Sequence, residues 1–427
     1  MNKTIVIGAG VAGLGAFYAD NNVQVYEAQD NAGGLCASFE IDGFWFDNAV
    51  HLSFTNNEFV KDILSKTAPL IHHPTPVNWY KDKWIQHPIQ NNLYKLSVEE
   101  RVNAVQDFIT KNEKLVAEDY YSWNLSKYGK YITDNFIKKY NDKYWCEDMS
   151  RMGIQWIGNR VYQPSLKEVL YGSYTDKTPN TYYAKEMRYP KENGYYGFWK
   201  NIVSDADAKK AIFYNKRVNR ISAREKRVYF TDGTSCEYDK IFSSMPLTEC
   251  VNIVENISET TKNQAKKLNY TSVMLVSVAI CKENILPYTW FYIYDEDIMA
   301  ARCYVPSNKS PQNVPKGYSS IQFEIYFNSK EKIPTEEACK ENVVYSLEKM
   351  KIADKKDILF MQCKYIKYAN IIFYPDTEMV AKNIRDELYK LNIIPIGRFG
   401  EWKYFWSDQA FLSGYQAASK ENTLNEK

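Results

Sequence analysis

The apolar run Thr4-Ile5-Val6-Ile7 breaks directly into Gly8-Ala9-Gly10-Val11-Ala12-Gly13, and Val23-Gln24-Val25-Tyr26-Glu27 follows as a second short strand. A strand, a tight glycine turn and a helix start bring together backbone N–H groups, a helix N-terminus and room for close approach. A pyrophosphate needs all three. Glu27, at the end of the second strand, stands where a carboxylate accepts from ribose hydroxyls. A GxGxxG alone also arises for structural reasons, but here strand, helix start and acidic residue come in the required order. The chain therefore opens on a dinucleotide site, with Gly8, Gly10, Gly13 and Glu27 as its binding candidates.

Which dinucleotide is suggested by Asn31-Ala32-Gly33-Gly34-Leu35-Cys36. A second glycine pair favours FAD, because flavoproteins of the glutathione-reductase-like class use such a pair for another close approach to the diphosphate. A simple nicotinamide fold does not need one. Gly33, Gly34 and Leu35 join the cofactor candidates on this ground. Far along the chain, Ile394-Pro395-Ile396-Gly397-Arg398-Phe399-Gly400 is a short strand breaking into Gly-Arg-x-Gly, with a helix expected over Ser413 to Ser419. Gly397 and Arg398 are read as closing the cofactor site, with a surface arginine in a turn as the alternative for Arg398.

Composition narrows the partners. With 54 basic and 52 acidic residues the net charge is only +2, so no overall field favours nucleic acid or an anionic membrane. Any anionic ligand must be held by locally placed arginines. Eight cysteines without a CxxC pair, and only four histidines, speak against a zinc site or a disulfide framework, and no metal is expected. No signal-peptide pattern opens the chain, and no apolar run approaches the roughly 18 residues of a membrane span. The expectation is a reduced, cytoplasmic protein without an integral membrane segment; a homo-oligomer is compatible with it. The 35 tyrosines and 10 tryptophans offer rings for stacking on a sugar or base, or simply stand in for phenylalanine.

The pattern of elements predicts an α/β chain: a Rossmann-like FAD domain of the glutathione-reductase-like class, an inserted helical domain and an antiparallel β-sheet substrate domain. The FAD domain is expected to be discontinuous, from residues 1–65, 205–262 and 385–427. Short alternating strands between Ala211 and Pro246, with an Asp232-Gly233 turn, read as a β-meander, and Val218 within it is counted among the cofactor-binding residues. The helical domain spans 95–170, announced by the capping box Ser97-Val98-Glu99-Glu100 and continued by the spacing of Val105, Phe108 and Ile109. Residues 66–94, 171–204 and 263–384 are assigned to the substrate domain. Its strand-like runs are Ser272–Ile280, Trp290–Tyr294 and Ser320–Tyr326. The polar tail after Lys420 is expected to fray.

Several dispersed segments together resemble one family. Ile85-Gln86-His87-Pro88-Ile89-Gln90-Asn91-Asn92, Tyr140-Asn141-Asp142-Lys143-Tyr144-Trp145, Trp156-Ile157-Gly158-Asn159-Arg160-Val161, Ala301-Arg302 ten positions after Tyr292, Tyr374-Pro375 and Gly397-Arg398-Phe399-Gly400-Glu401-Trp402-Lys403-Tyr404 are similar to motifs of the flavin-dependent UDP-galactopyranose mutases. The eukaryotic-type branch is the nearer likeness, within the amine-oxidase-like flavoprotein superfamily. The resemblance implies a UDP-sugar substrate whose diphosphate is gripped by Arg160 and Arg302, with Tyr374 and Tyr404 donating phenolic hydrogen bonds. Planar guanidiniums suit that task, because they offer paired, charge-assisted bonds to phosphate. Tyr292 and Trp145 would wall in the uracil, while Gln90 and Asn141 read its polar edge. The implied reaction is an isomerisation of UDP-galactopyranose, or a related nucleotide sugar, to its furanose form for cell-surface polysaccharides such as lipopolysaccharide. In it the N5 of reduced FAD attacks the anomeric carbon, and Arg160, Arg302 and His51 assist. An external reductant such as NAD(P)H would supply the reduced state. The alternative is an FAD-dependent amine oxidase, desaturase or protoporphyrinogen-oxidase-like enzyme.

Four positions depart from the family. Its Phe-Asp-x-Gly-Gly-His loop beside the flavin is here Phe46-Asp47-Asn48-Ala49-Val50-His51. The histidine is kept, placed to tune flavin protonation or else a structural ring, but without its two glycines the loop is expected to be stiffer. His87 replaces a tyrosine beside the base. Asp408 replaces an asparagine near the sugar and is read as a substrate contact that alters sugar preference.

Overall fold

Thr4–Ile7 is paired on both sides. In the computed structural model, which describes residues 3–158, 160–181 and 184–425, it runs parallel to Gln24–Tyr26 and to Lys240–Ser243. Ile393–Pro395 extends the sheet on one side and Ile212–Phe213 on the other, giving five parallel strands. Parallel strands are covered on both faces and so read as unbroken apolar runs. Ile5, Val6, Val25 and Ile241 accordingly have no exposed surface. Helix Val11–Ala19 packs across the sheet against the last helix, Ser407–Asn425. The approach is close because the contact is made at glycines. A Cβ on Gly15 would stand 2.1 Å from the Phe411 carbonyl oxygen, and one on Gly414 1.8 Å from that of Ala12.

The stretch from Ala211 to Pro246 divides differently from the single meander expected. Its outer strands, Ile212–Phe213 and Lys240–Ser243, belong to the parallel sheet. Only Val218–Ser222, Arg227–Phe230 and Ser235–Glu237 form an antiparallel meander, turned through Asp232-Gly233. Alternation identifies a strand but does not say which sheet will take it.

The second large sheet has seven strands, in the order Ile358–Ile372, Asn269–Ile280, Ser319–Asn328, Arg302–Tyr304, Trp290–Ile293, Val77–Tyr80 and Lys83–Gln86. All neighbours are antiparallel except Val77–Tyr80 beside Trp290–Ile293, which run parallel. The period of two sorts side chains to its faces. Ile321, Phe323 and Ile325 pack with Val343 and Leu347 of helix Glu336–Lys349. Tyr326, on the opposite face with Gln322 and Glu324, packs with Val273, Leu275 and Ala301.

Helices cover this sheet at its cavity side. The capping box forms at the start of Val98–Thr110, where Ser97 Oγ accepts from the Glu100 amide at 3.2 Å and Glu100 Oε2 accepts from the Ser97 amide at 3.0 Å. A π-helical turn, Thr133–Ile137, leads into Lys138–Tyr144. Such turns re-aim side chains, and the segment after this one delivers Tyr140, Asn141 and Tyr144 to the cavity described below. The last helix carries through the tail expected to fray, as far as Asn425; Glu426 and Lys427 lie outside the described residues. Among the described residues no helix is long and apolar enough to cross a membrane.

Candidate functional site

A single cavity of about 1160 Å³ runs between the parallel sheet and the face of the seven-stranded sheet that bears Tyr326. Every site residue singled out from the sequence lines it except Gly13 and Tyr374.

One end is made of backbone. The Gly8 amide donates to the Tyr26 carbonyl at 2.8 Å, and the Gly33 amide to that of Ala9 at 2.9 Å, so the two glycine turns lie side by side. Gly33 and Gly34 have φ of +110° and +57°, a region that favours glycine, and a Cβ on Gly34 would come within 3.0 Å of Gly10 Cα. Gly13 works from behind: its Cβ would lie 1.9 Å from the Gly8 oxygen, so it sets how closely helix and turn pack. Glu27 is fixed by the same turn. Its Oε2 accepts from the Ala9 amide at 2.7 Å and its Oε1 from that of Gln29 at 2.9 Å. Leu35 and Val218 complete this end of the lining.

The other end is made of side chains. Tyr404 stands between two arginines, with the Arg160 and Arg398 guanidinium carbons 4.7 and 4.9 Å from its ring centre. Arg160 donates to the carbonyls of Trp156 at 2.9 Å and Tyr404 at 3.0 Å. Arg398, expected with the cofactor, thus shares Tyr404 with Arg160, and its Nη2 donates to Asn370 Oδ1 at 3.1 Å. Trp145 packs on Trp156 with ring centres 4.9 Å apart. Tyr292 lies against His87 at 4.5 Å, tilted by 34°. His87 Nδ1 is 2.9 Å from Asn78 Oδ1, and the Asn78 Nδ2 donates to Gln86 O at 3.2 Å. That orients the amide so that His87 Nδ1 carries the proton. Gln90 donates to the Tyr162 carbonyl at 3.2 Å and Asn141 to that of Glu147 at 2.8 Å. Asp408 lies in the first turn of the last helix.

Several buried polar atoms of this wall have no hydrogen-bond partner among the described residues: Asn48 Oδ1, Asn141 Oδ1, Asn370 Nδ2 and Arg398 Nε. Buried polar groups are normally satisfied. A cluster of unsatisfied ones on a cavity wall is the arrangement a polar ligand completes.

Tyr374 is not brought to the site. Its hydroxyl donates to Glu147 and accepts from Asn269 Nδ2 at 3.0 Å, which turns it away from the cavity.

Between the two ends lies the loop Asn48–His51. Ala49 has φ +71°, so the alanine occupies the conformation for which a glycine is suited. His51 Nδ1 donates to the Ala49 carbonyl at 3.2 Å, and the ring stacks on Tyr195 at 5.1 Å. Burial pushes its pKa down to about 4, and that of His87 to about 3, so both rings are neutral at pH 7. Beneath the loop, Asp47 and Lys309 form a fully buried ion pair, and Asp47 also accepts from the Tyr195 amide and the Tyr189 hydroxyl, both at 2.8 Å. Arg302 is likewise paired: its Nε donates to Glu324 Oε2 at 2.7 Å. Burial works against the Arg302 charge, but Glu324 together with Tyr326, Tyr144 and Tyr140 outweighs it and holds the guanidinium well above its ordinary pKa. Glu324, Lys309 and Asn370 were not identified from the sequence as site residues. The signal for Glu324 was a carboxylate between Phe323 and Ile325 in a run of buried strand.

A dinucleotide-type parallel sheet, joined to a second sheet across one continuous cavity, is an architecture with known relatives. Residues 6–67 match the NAD(P)-binding Rossmann-like domain family. Over its whole length the chain has the fold of UDP-galactopyranose mutase: against the crystal structure of a reduced form of that enzyme the TM-score is 0.93 at 22% identity, covering 100% of this chain and 95% of the other. A candidate protoporphyrinogen oxidase from Exiguobacterium sp. 255-15 gives 0.75 at 13% identity, covering 100% and 99%. A CLA-producing fatty acid isomerase from P. acnes gives 0.66 at 13%, covering 98% of each chain.

Proposed function

We propose that the protein is an FAD-dependent mutase that interconverts the pyranose and furanose forms of a UDP-sugar, with UDP-galactopyranose as the first substrate to test. The observation that carries this reading is the pair Arg160 and Arg398 about Tyr404, facing the same cavity as the double glycine turn. A cavity of 1160 Å³ also exceeds the roughly 300–1,000 Å³ of a site for one ligand. It has room for a dinucleotide and a second, anionic molecule.

The glycine turns, Glu27 and Val218 would hold the FAD, and when reduced it would supply the nucleophile for the anomeric carbon. The chain's own residues then have binding and orienting roles. Arg160 and Arg398 present fixed positive charge to a diphosphate, with Arg302 beside them in its pair with Glu324. They keep the departing UDP in place, and the shared orientation lowers the barrier to its return. Asn141 Oδ1, buried and unpartnered, suits the imino N–H of uracil, while Tyr292 and Trp145 wall in the ring. His51 is neutral, with Nδ1–H committed to Ala49, so only its Nε2 is left to accept. Asp408 presents a carboxylate suited to sugar hydroxyls. An external reductant such as NAD(P)H maintains the reduced state, and the product serves polysaccharide assembly.

An amine oxidase or desaturase on this fold has no use for two arginines around one tyrosine. The deciding experiment incubates dithionite-reduced and oxidised protein with UDP-galactopyranose and separates the nucleotide sugars by chromatography. Furanose formed only by the reduced protein is the expected result. FAD and UDP binding without conversion would point to another sugar; absence of UDP binding would overturn the reading in favour of an oxidase.

A further inference from the structure

Glu324 sits in the middle of Ser319–Asn328, wholly withdrawn from solvent and paired in register with Leu275 on one side and Arg302 on the other. Its two oxygens serve different partners. Oε2 accepts from Arg302 Nε, from which it is 2.7 Å, lies 2.7 Å from Arg302 Nη2, and accepts from the Tyr326 hydroxyl at 2.7 Å. Oε1 accepts from the Val50 amide at 2.6 Å. Val50 follows the left-handed Ala49, and two residues back Asn48 Nδ2 donates to the Gly34 carbonyl at 3.1 Å. The loop is thus tied at one end to the dinucleotide cradle. At the other it is tied to the carboxylate that fixes the substrate-side arginine.

We propose that Glu324 is a positioning residue that couples the two ligand sites, linking the backbone state of the Ala49-Val50 turn to the hold of Arg302 on an anion. The inference rests on the reading of the cavity as an FAD and UDP-sugar site. A buried carboxylate cannot lose one charged or N–H partner without changing its interaction with the other. If the turn at Val50 shifts with the state of the adjacent flavin, Oε1 loses its donor and Arg302 faces a carboxylate freer to rotate towards it. Linkage is reciprocal, so a diphosphate that draws on Arg302 also biases the turn. The Arg302 Nη1 group is used in none of these contacts, so an anion can engage the guanidinium without first breaking the pair. Ala49 in place of glycine makes the turn costlier to hold and to reshape, which limits the coupling without abolishing it.

The test measures UDP affinity by calorimetry on oxidised and dithionite-reduced holoprotein, together with the flavin midpoint potential with and without UDP. Wild type is expected to show a ratio of affinities of threefold or more between the two states. The potential should move in step, since a tenfold ratio corresponds to about 30 mV for a two-electron couple. Glu324→Gln keeps the shape but removes the shared charge; its ratio should fall towards one while FAD stays bound. Ala49→Gly, which leaves the charges of Arg302 and Glu324 in place, should widen the ratio about threefold, and it carries the test if Glu324→Gln fails to fold. A wild-type ratio of one, a ratio unchanged in Glu324→Gln, or one unchanged in Ala49→Gly overturns the coupling. UDP binding without any such ratio leaves the mutase reading intact and sinks only this inference. No UDP binding in either state overturns both.

Discussion

At the dinucleotide end of the cavity the chain offers backbone, and at the other end side chains. Gly8, Gly10, Gly33 and Gly34 come from one short stretch of sequence, and what matters about them is the atom they lack. Arg160, Arg302 and Arg398 come from an irregular segment after the helices, a three-residue strand and the short helix Gly397–Glu401 after the last parallel strand, and what matters is the charge they carry. The first kind of site is local in sequence and intolerant of added atoms. The second is dispersed and sensitive to removed ones.

The comparison is tested most severely at Gly13. Its Cβ would stand 1.9 Å from a backbone oxygen that the strand and the turn both fix, so Gly13→Ala must push the helix away from the turn. Overpacking of this kind costs about 1–3 kcal/mol or more. The expected outcome is purified protein with less than about a tenth of the wild-type flavin absorbance, although Gly13 lines no part of the cavity. Full flavin occupancy would show that the cradle is not as rigid as the contrast requires.

The same contrast governs what the sequence could reveal. The glycine turns and Glu27 were legible because their chemistry depends on neighbours in sequence. So was the capping box at Ser97. The three-residue strand Arg302–Tyr304 was too short for any period to show, and Ile358–Ile372 hid its strand character behind Lys364 and Lys367, charges that suit an edge. The short strand breaking into Gly-Arg-x-Gly reads Arg398 with the cofactor, and its packing against Tyr404 beside Arg160 is a tertiary contact that no local pattern shows. Asp47 and Lys309 are fully buried against each other although 262 positions apart in the sequence, and nothing local marks either as a partner of the other. Ala49 stands where the resemblance expects a glycine, and that the loop keeps a positive φ all the same follows from its ties to Gly34 and Glu324.

The two histidines sharpen the comparison in a different way, because one lies on the loop beside the cradle and the other against Tyr292 at the side-chain end. Both have folded pKa values below their unfolded value of about 6.5. Unfolding therefore takes up protons below that pH, and the stability the neutral rings provide is complete above about 6.5 and lost as the pH falls towards their folded values of about 4 and about 3. Over that window each ring should contribute a loss of about 1.4 kcal/mol per pH unit. Urea unfolding at three pH values between 7 and 4.5 reads the slope, and His87→Gln should reduce it by about half. An unchanged slope would mean that the side-chain end is wetter than its packing shows.

The smallest effect is expected where sequence and structure part company. The family resemblance gives Tyr374 a hydrogen bond to the diphosphate; the fold gives its hydroxyl to Glu147 and Asn269 instead. Tyr374→Phe should leave UDP affinity within about twofold of wild type and cost about 0.5–1.5 kcal/mol of stability, the ordinary worth of a hydrogen bond. Both quantities matter, because they fail separately. A tenfold loss of UDP affinity at unchanged stability would mean that Tyr374 swings into the cavity when a ligand binds. The side-chain end would then be assembled by its substrate, whereas the backbone end stands ready without one.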